Sequence, residues 1–371
     1  MRIISFQPGS LYQNGGAARV LRRLFMGRES QVFSIGIVYQ KLNVKEGNIT
    51  EKLVGAFPLQ RKWMRWHLRT AINWLRENLF ISLTIRNIRK VARENKYDVI
   101  HIVNHGPFSL ALLNKGYDED KKLWVSFHDH FSTSNSPKAD TEKLWNRADR
   151  RLVISEELGM EYQRLFGNRA FEIITDGLFP GEVSAPKNFD GSDPIIIYFA
   201  GLLHIDYYPL FELLAAALDD LTRKGMQFKL VLRGTQALNF LNNRSFGVEY
   251  KLDFVSDEEI KCELDSASIL YLPIKFSQPD FYLYSLSTKM VGYLGASGTV
   301  LYHGPADSAA GNLLQKDGAA VCCNSLVKDD LIRSIYRIID GDSKYSQNAK
   351  ELALTQFNFK TIQQRFWQEA S

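Results

Sequence analysis

Three stretches of this sequence place reactive or ligand-holding groups where a strand pattern gives way to a helix pattern. The first is Gln13-Asn14-Gly15-Gly16-Ala17-Ala18-Arg19. Adjacent glycines let a backbone approach a ligand closely and leave helix amides to face a phosphate or a hydroxyl. A plain tight turn reads the same way. The pair lacks the G-x-G-x-x-G spacing of a nicotinamide site. The second stretch is Trp124-Val125-Ser126-Phe127-His128-Asp129-His130. A histidine at a strand end can take a proton or bond a ligand hydroxyl, and a neighbouring carboxylate can orient it. If the strand continues, alternation puts His128 and His130 on one side. A hydrogen-bonded structural histidine is the alternative. No fourth ligand accompanies His128, Asp129 and His130, so no metal site is assigned. The third stretch runs from Asp280 through Ser287, Thr288 and Lys289 to Leu294. Ser287 and Thr288 would offer hydroxyls and amides at a helix start. Lys289 would oppose the helix dipole there unless an anion such as a diphosphate offsets it. A solvated surface lysine is the plainer reading.

These stretches need elements to position them, and the chain supplies a near-continuous strand–helix alternation. At 371 residues, 45% hydrophobic and 23% charged, it has the size of two soluble domains. No run of about 18 uncharged apolar residues occurs. The opening residues read as a strand, not a signal peptide. Cys262, Cys322 and Cys323 lack metal or disulfide spacing and suit reduced, core-filling thiols of a cytoplasmic protein. Strands are expected at 2–6, 32–38, 98–103, 123–127, 151–154 and 171–175, with helices at 17–26, 62–94, 107–115, 141–147 and 156–166. Turn residues then cluster without apolar periodicity. The alternation restarts with strands at 195–200, 228–232, 250–254, 269–273, 299–302 and 319–322, and helices between and after them to 359–369. The pattern predicts an α/β chain: a domain at 1–180, a linker at 181–194, a second domain at 195–355 and a C-terminal helix at 356–371. Each domain would be a doubly wound parallel sheet of Rossmann type, with chemistry expected at the carboxyl ends of its strands.

The net charge of +5 is concentrated. Arg61, Lys62, Arg65, Arg69, Arg76, Arg86, Arg89, Lys90 and Arg93 crowd one segment against Glu77 and Glu94. If 62–79 is one helix, Lys62, Arg65, Arg69 and Arg76 form a stripe, while Trp63, Met64, Leu68, Ala71, Trp74 and Leu75 fill another side. Such a helix either lies on an anionic membrane surface or packs its apolar side as core. The membrane reading assigns the contact to Lys62, Trp63, Arg65, Trp66 and Arg69, at the inner face of the cytoplasmic membrane. No nucleic-acid motif accompanies the charge, so no nucleic-acid partner is expected.

The motifs together resemble the GT-B glycosyltransferases, the GT4-like group in particular. Ile197-Tyr198-Phe199-Ala200-Gly201, Leu230-Val231-Leu232-Arg233-Gly234 and Ser285-Leu286-Ser287-Thr288-Lys289-Met290-Val291-Gly292-Tyr293-Leu294 are similar to successive motifs of the family's donor domain. Gly15-Gly16-Ala17, His128 and Val153-Ile154-Ser155-Glu156 are similar to motifs of its first domain. The resemblance implies a GT-B fold, two domains facing across a cleft, with the C-terminal helix crossing back to the first. It implies a metal-independent, retaining hexosyltransferase that needs no cofactor beyond its co-substrate. Such an enzyme moves a sugar from a nucleotide diphosphate sugar to a saccharide or lipid-linked saccharide, as in assembly of bacterial surface polysaccharide. His128, with Asp129, would contact the transferred sugar. Gly15, Gly16, Arg233, Ser287, Thr288 and Lys289 would hold the donor and its phosphates. Gly201, Phe254, Val255 and Tyr284 would border the base and ribose. The family's paired glutamates are missing: their positions fall near Tyr284 and at Gly292. A sugar-nucleotide epimerase and a non-catalytic partner on the same fold are the alternatives.

Overall fold

The computed structural model describes residues 1–13, 15–40, 47–60, 66–113, 120–187, 194–253, 255–341 and 343–368, with 66 and 67 by backbone only. The chain divides into two compact units, Met1–Thr175 with Ile362–Ser371, and Asp176–Thr361. The turn-rich stretch expected as a linker follows this division by a few residues.

The first unit is built on β1 (Ile3–Pro8), β2 (Val32–Gln40), β3 (Thr50–Gln60), β4 (Val99–Val103), β5 (Lys122–Phe127), β6 (Arg150–Val153) and β7 (Glu172–Ile173). They form one sheet in the order β3-β2-β1-β4-β5-β6-β7, and every pairing is parallel. The order reverses at β1, the arrangement that opens a ligand crevice at the carboxyl edge. The helices are α1 (Gly16–Phe25), α2 (Trp66–Asn78), α3 (Ile81–Arg93), α4 (Lys138–Arg147) and α5 (Glu156–Phe166). Ser155 caps α5, its hydroxyl accepting from the Leu158 N–H at 3.1 Å.

The second unit carries β8 (Ile195–Ala200), β9 (Phe228–Arg233), β10 (Gly247–Lys251), β11 (Ile269–Pro273), β12 (Thr299–His303) and β13 (Val321–Cys323), with α6 (Tyr208–Arg223), α7 (Asp257–Ser266), α8 (Pro279–Tyr282), α9 (Thr288–Gly295), α10 (Ala309–Lys316), α11 (Lys328–Ile339) and α12 (Lys344–Thr355), while most of α13 (Phe359–Trp367) belongs to the first unit. Its sheet runs β10-β9-β8-β11-β12-β13, again parallel throughout. Side-chain alternation along β8 explains why both faces are covered. Ile195, Ile197 and Phe199 join α6 and α11 in one core layer, while Tyr198 joins α9 and α12 in the other. On α6 the buried Leu210, Phe211, Leu214, Leu218 and Leu221 recur at helical spacing, which fixes the face it turns to the sheet.

Three expectations change. β3 is an edge strand that the sequence pattern did not reveal. Its adjacent charges Glu51 and Lys52, with Gly55 and Pro58, weaken a strand signal, and an edge tolerates them. The long basic region is two helices, broken at Leu79 and Phe80. Residues 107–113 are turns, not a helix. Gly106 enters with φ +73, Ser109 Oγ bonds the Gly106 carbonyl and the His105 amide, and the next bonds, Ala111 to Phe108 and Leu113 to Leu110, are of i+3 type.

Candidate functional site

In the second unit the carboxyl edge of the sheet is shaped by β8, β9 and the start of α9. β8 ends at Gly201, whose φ of +130 suits only glycine. A Cβ there would lie 2.9 Å from the Lys289 ammonium, so the missing side chain also makes room for that group. Lys289 stands in the first turn of α9, its ammonium 4.3 Å from the Phe199 ring centroid. Burial lowers its pKa to about 8. Among the described residues no carboxylate pairs with it, and α9 has no acid in its first turn. Ser287 caps α9, its hydroxyl accepting from the Lys289 N–H at 3.3 Å. The helix is pinned at its C-terminal end. The Ala200 N–H donates to the Tyr293 hydroxyl at 3.0 Å, and the Lys350 ammonium donates to the Leu294 carbonyl at 3.2 Å and to that of Ala296. A half-buried ammonium in a first helical turn, with no carboxylate partner among the described residues, suits an anion.

The other donor candidates fall differently. Thr288 and Tyr284 are half-buried around the same helix start, and Val255 is half-buried beyond β10. Phe254 lies outside the described residues. Arg233 ends β9 at this edge, but its charge is committed. It meets Glu263 through Nε at 3.0 Å and through Nη2, and it donates to the Asp253 carbonyl at 2.8 Å. Tyr198 and Lys251 donate to the same carboxylate at 2.8 and 3.0 Å. Desolvation raises the Glu263 pKa, but the bonds from Arg233, Tyr198 and Lys251 outweigh it and hold it at about 2. No spacing rule pairs a residue of α7 with the ends of β8, β9 and β10, so Glu263 was not legible. Because its folded pKa lies below the ordinary 4.5, its stabilisation is complete above that pH and fades toward 2. Glu263→Gln is therefore expected to cost about 2 kcal/mol at pH 7. The gap from the parent should narrow at pH 3, as urea unfolding at the two pH values would show.

In the first unit the same edge carries the other candidates. α1 opens at Gly16, after an extended Gly15, with no side-chain cap and no acid in its first turn. A Cβ at Gly15 would meet nothing within 4 Å. The space beside Gly15 is open, as an anion or polyol site there would require. β5 ends at Phe127 and places His128 and Asp129 in the following turn. Desolvation, then the neighbouring His105, lowers the His128 pKa to about 4, so the imidazole is neutral at pH 7 and acts as a hydrogen-bond partner. Asp129 acts on His105, opposing the desolvation that lowers it. His105 follows β4 as His128 follows β5, and the rule that chemistry lies just past strand ends could have found it. Strand alternation does not relate His130 to His128, because the strand ends at Phe127. It is buried with its Nδ1 2.7 Å from Ser132 Oγ and its ring against Phe131.

Of the basic segment, Lys62, Trp63 and Arg65 lie outside the described residues, as does the Trp66 side chain. Arg69 is exposed on α2. Arg76 is not part of a surface stripe. It is buried, donates to the Ala56 and Pro58 carbonyls at 3.2 and 2.8 Å, and lies 4.7 Å from the Tyr39 ring centroid. Among the described residues no group of three His, Cys, Asp or Glu side chains could hold a metal, and no helix is long and apolar enough to cross a membrane.

Residues 15–178 match the sequence model of Glycosyltransferase Family 4. No curated protein matches the chain in sequence. Among solved structures, sucrose-phosphate synthase from Thermosynechococcus elongatus superposes with a TM-score of 0.70 at 14% identity, over 99% of this chain and 97% of that one. Anabaena HepE, in complex with UDP and glucose, gives 0.68 at 14% identity, over 99% and 98%. An α,α-trehalose-phosphate synthase (UDP-forming) from Burkholderia xenovorans, in complex with glucose-6-phosphate, gives 0.68 at 12% identity, over 99% of each chain. The resemblance read from the motifs is therefore shown. The chain has the GT-B fold of the glycosyltransferases, and its residues 15–178 carry the sequence pattern of Glycosyltransferase Family 4.

Proposed function

We propose that this chain is a glycosyltransferase whose second unit holds a nucleotide diphosphate sugar and whose first unit receives a saccharide acceptor. The observation that carries the reading is the half-buried, partly desolvated Lys289 ammonium, with no carboxylate partner among the described residues, in the first turn of α9. In the transfer, the bond from the sugar's anomeric carbon to the diphosphate breaks and a bond to an acceptor oxygen forms. The departing diphosphate carries the growing negative charge. Lys289, the Thr288 hydroxyl and the first amides of α9 would meet that charge without a metal ion. The UDP and sugar-phosphate complexes of the structural neighbours support the ligand class. The test is nucleotide release from a panel of nucleotide sugars, with and without a chelator. Acceptor-dependent release that survives chelation supports the reading, and binding of none of the nucleotides contradicts it.

The finer reading is a retaining transfer to a lipid-linked saccharide at the inner face of the cytoplasmic membrane, in surface-polysaccharide assembly. Its support is the surface of α2 and α3. Leu68, Trp74, Leu79 and Leu83 are exposed there at 46%, 58%, 61% and 43%, in company with the exposed Arg69, Arg86 and Lys90. The full chain is expected to sediment with phosphatidylglycerol vesicles at low salt, at least fivefold more than with phosphatidylcholine vesicles. Equal partition would remove the membrane from the account.

A non-catalytic role has one observation in its favour. At Gly292, where the resemblance implies a glutamate, a Cβ would meet nothing within 4 Å, so the site has room for the acid and lacks it. Nucleotide binding without turnover on any acceptor would favour that role.

A further inference from the structure

A row of polar side chains crosses the sheet of the first unit and ends on the loop before α1. His101, Ser5, Ser34 and Glu51 are register partners across β4, β1, β2 and β3. We infer that Glu51 is a positioning residue: from the edge strand β3 it fixes the Gly9–Gln13 loop and so sets where Gly15 and Gly16 stand against a ligand of the first unit. The inference rests on the proposed transfer, because that reading supplies the saccharide that the glycine pair would meet.

The carboxylate decides the direction of the whole row. A carboxylate only accepts, so Gln7 turns its amide nitrogen to Glu51 at 3.3 Å and to Ser34 Oγ at 2.7 Å. The Ser34 hydroxyl then donates to Glu51 at 2.9 Å. The Gln7 side-chain carbonyl is left for the Ser5 hydroxyl, which donates to it at 3.2 Å. With that proton committed, His101 donates from Nδ1 to Ser5 Oγ at 3.0 Å, and its Nε2 accepts from the Ser126 hydroxyl at 2.8 Å. Burial lowers the His101 pKa to about 3, so the ring carries the single proton this pattern needs. Every donor points toward Glu51, and in such a chain each bond polarises the next. Ser5, Gln7, Ser34, His101 and Ser126 are all buried, where apolar residues would avoid the desolvation cost. What that cost maintains is visible at the end of the row.

Beyond Ser34 the carboxylate reaches the loop. It accepts from the Leu11 N–H at 2.8 Å and from the Ser10 hydroxyl. Ser10 Oγ in turn accepts from the Tyr12 N–H at 3.0 Å. Ile49, two residues before Glu51, donates its N–H to the Tyr12 hydroxyl at 2.7 Å. The start of the loop is fixed by β2. The Gly9 N–H donates to the Ile37 carbonyl at 2.8 Å, and a Cβ on Gly36 would lie 2.3 Å from the Gly9 carbonyl oxygen. Its end is fixed by α1, where Arg22 Nη1 donates to the Gln13 carbonyl at 3.1 Å. Glu51 therefore holds the middle, and Gly15 follows two residues after Gln13. Order in that stretch before binding spares the ligand the entropy of imposing it.

Glu51→Gln tests this on the full chain, because the amide nitrogen it introduces is a donor among donors. Hydrogen exchange should show the Leu11 and Tyr12 amides losing at least tenfold in protection while those of β1 and β4 keep theirs. In acceptor-dependent nucleotide release, kcat/KM for the acceptor should fall at least tenfold, with UDP affinity within threefold of the parent. Glu51→Asp, which keeps the charge on a shorter stem, should fall between the two. Gly15→Ala places a methyl in open space and should lower the same kcat/KM by itself. In that background Glu51→Gln should add less than threefold, because both changes act through one loop, whereas a general loss of stability would leave the two effects independent. Independent effects, or unchanged protection of Leu11, overturn the inference. A parent that binds no nucleotide strikes the donor reading instead, and the exchange measurement still decides whether Glu51 holds the loop.

Discussion

Replacing Lys289 by Met is expected to weaken nucleoside diphosphate binding by roughly 30- to 150-fold, the worth of about 2–3 kcal/mol for a charge-assisted contact. The unliganded variant should be at least as stable as the parent. The two effects have one origin. The ammonium is half-buried and partly desolvated, and among the described residues no carboxylate offsets its charge, so the folded protein carries a cost that an anion would relieve. The pKa of about 8 gives the pH dependence its sign. In the free protein the ammonium is lost as pH rises through 8, so affinity should fall between pH 7 and 9.5. In Lys289→Arg, which stays charged, that fall should be absent. Stability moves the other way. The unfolded chain holds the proton up to about 10.5 and the folded chain only to about 8. Parent stability should therefore rise across that window, and the Met variant should lack the rise. Calorimetry and urea unfolding at the two pH values check both halves. A Met variant that binds UDP like the parent would remove Lys289 from the phosphate site.

The second large effect concerns Arg150, which sits where the C-terminal residues join the first unit. It is buried, 4.5 Å from the Trp124 ring, and pairs with both oxygens of Glu172 at 2.7 Å. Its remaining hydrogens go to the carbonyls of Arg365 and Phe366 at 2.7 Å and Gln368 at 2.9 Å, the end of α13. One guanidinium thereby caps a helix C-terminus, satisfies a carboxylate and covers an aromatic face. Arg150→Met leaves those carbonyls and Glu172 without their donor, which is expected to cost about 3–5 kcal/mol. Removal of residues 362–371 exposes Phe25 and Trp124 as well, since Phe366 packs edge-on against both. The truncation should destabilise the first unit at least as much. Urea unfolding of the three proteins tests this, and an Arg150→Met loss under 1 kcal/mol would show that the tail is held by its apolar face alone.

What the sequence disclosed followed the physics that each residue obeys. Strands buried on both faces, such as β8 and β11, announce themselves as unbroken apolar runs, and the α5 boundaries followed from Ser155 and the apolar spacing behind it. β3 did not, because an edge strand is free to carry Glu51, Lys52 and Pro58. Lys289 stands out in the sequence because a cation in a first helical turn contradicts local electrostatics. The pairing of Arg233 and the burial of Arg76 were not legible, for a related reason. A basic residue in sequence gives no sign of whether a carboxylate or a carbonyl already awaits it, and Glu263 is 30 residues from Arg233 while Ala56 is 20 from Arg76.

The central claim is that the second unit binds a nucleotide diphosphate sugar and the chain transfers its sugar. The most direct measurement is calorimetric titration of the full chain with UDP, GDP, ADP and dTDP, followed by nucleotide release from the matching sugar donors in the presence of saccharide acceptors. The account predicts stoichiometric binding of one of these diphosphates, lost in Lys289→Met, and release that depends on an acceptor. Binding of none of the four to the parent protein would contradict it.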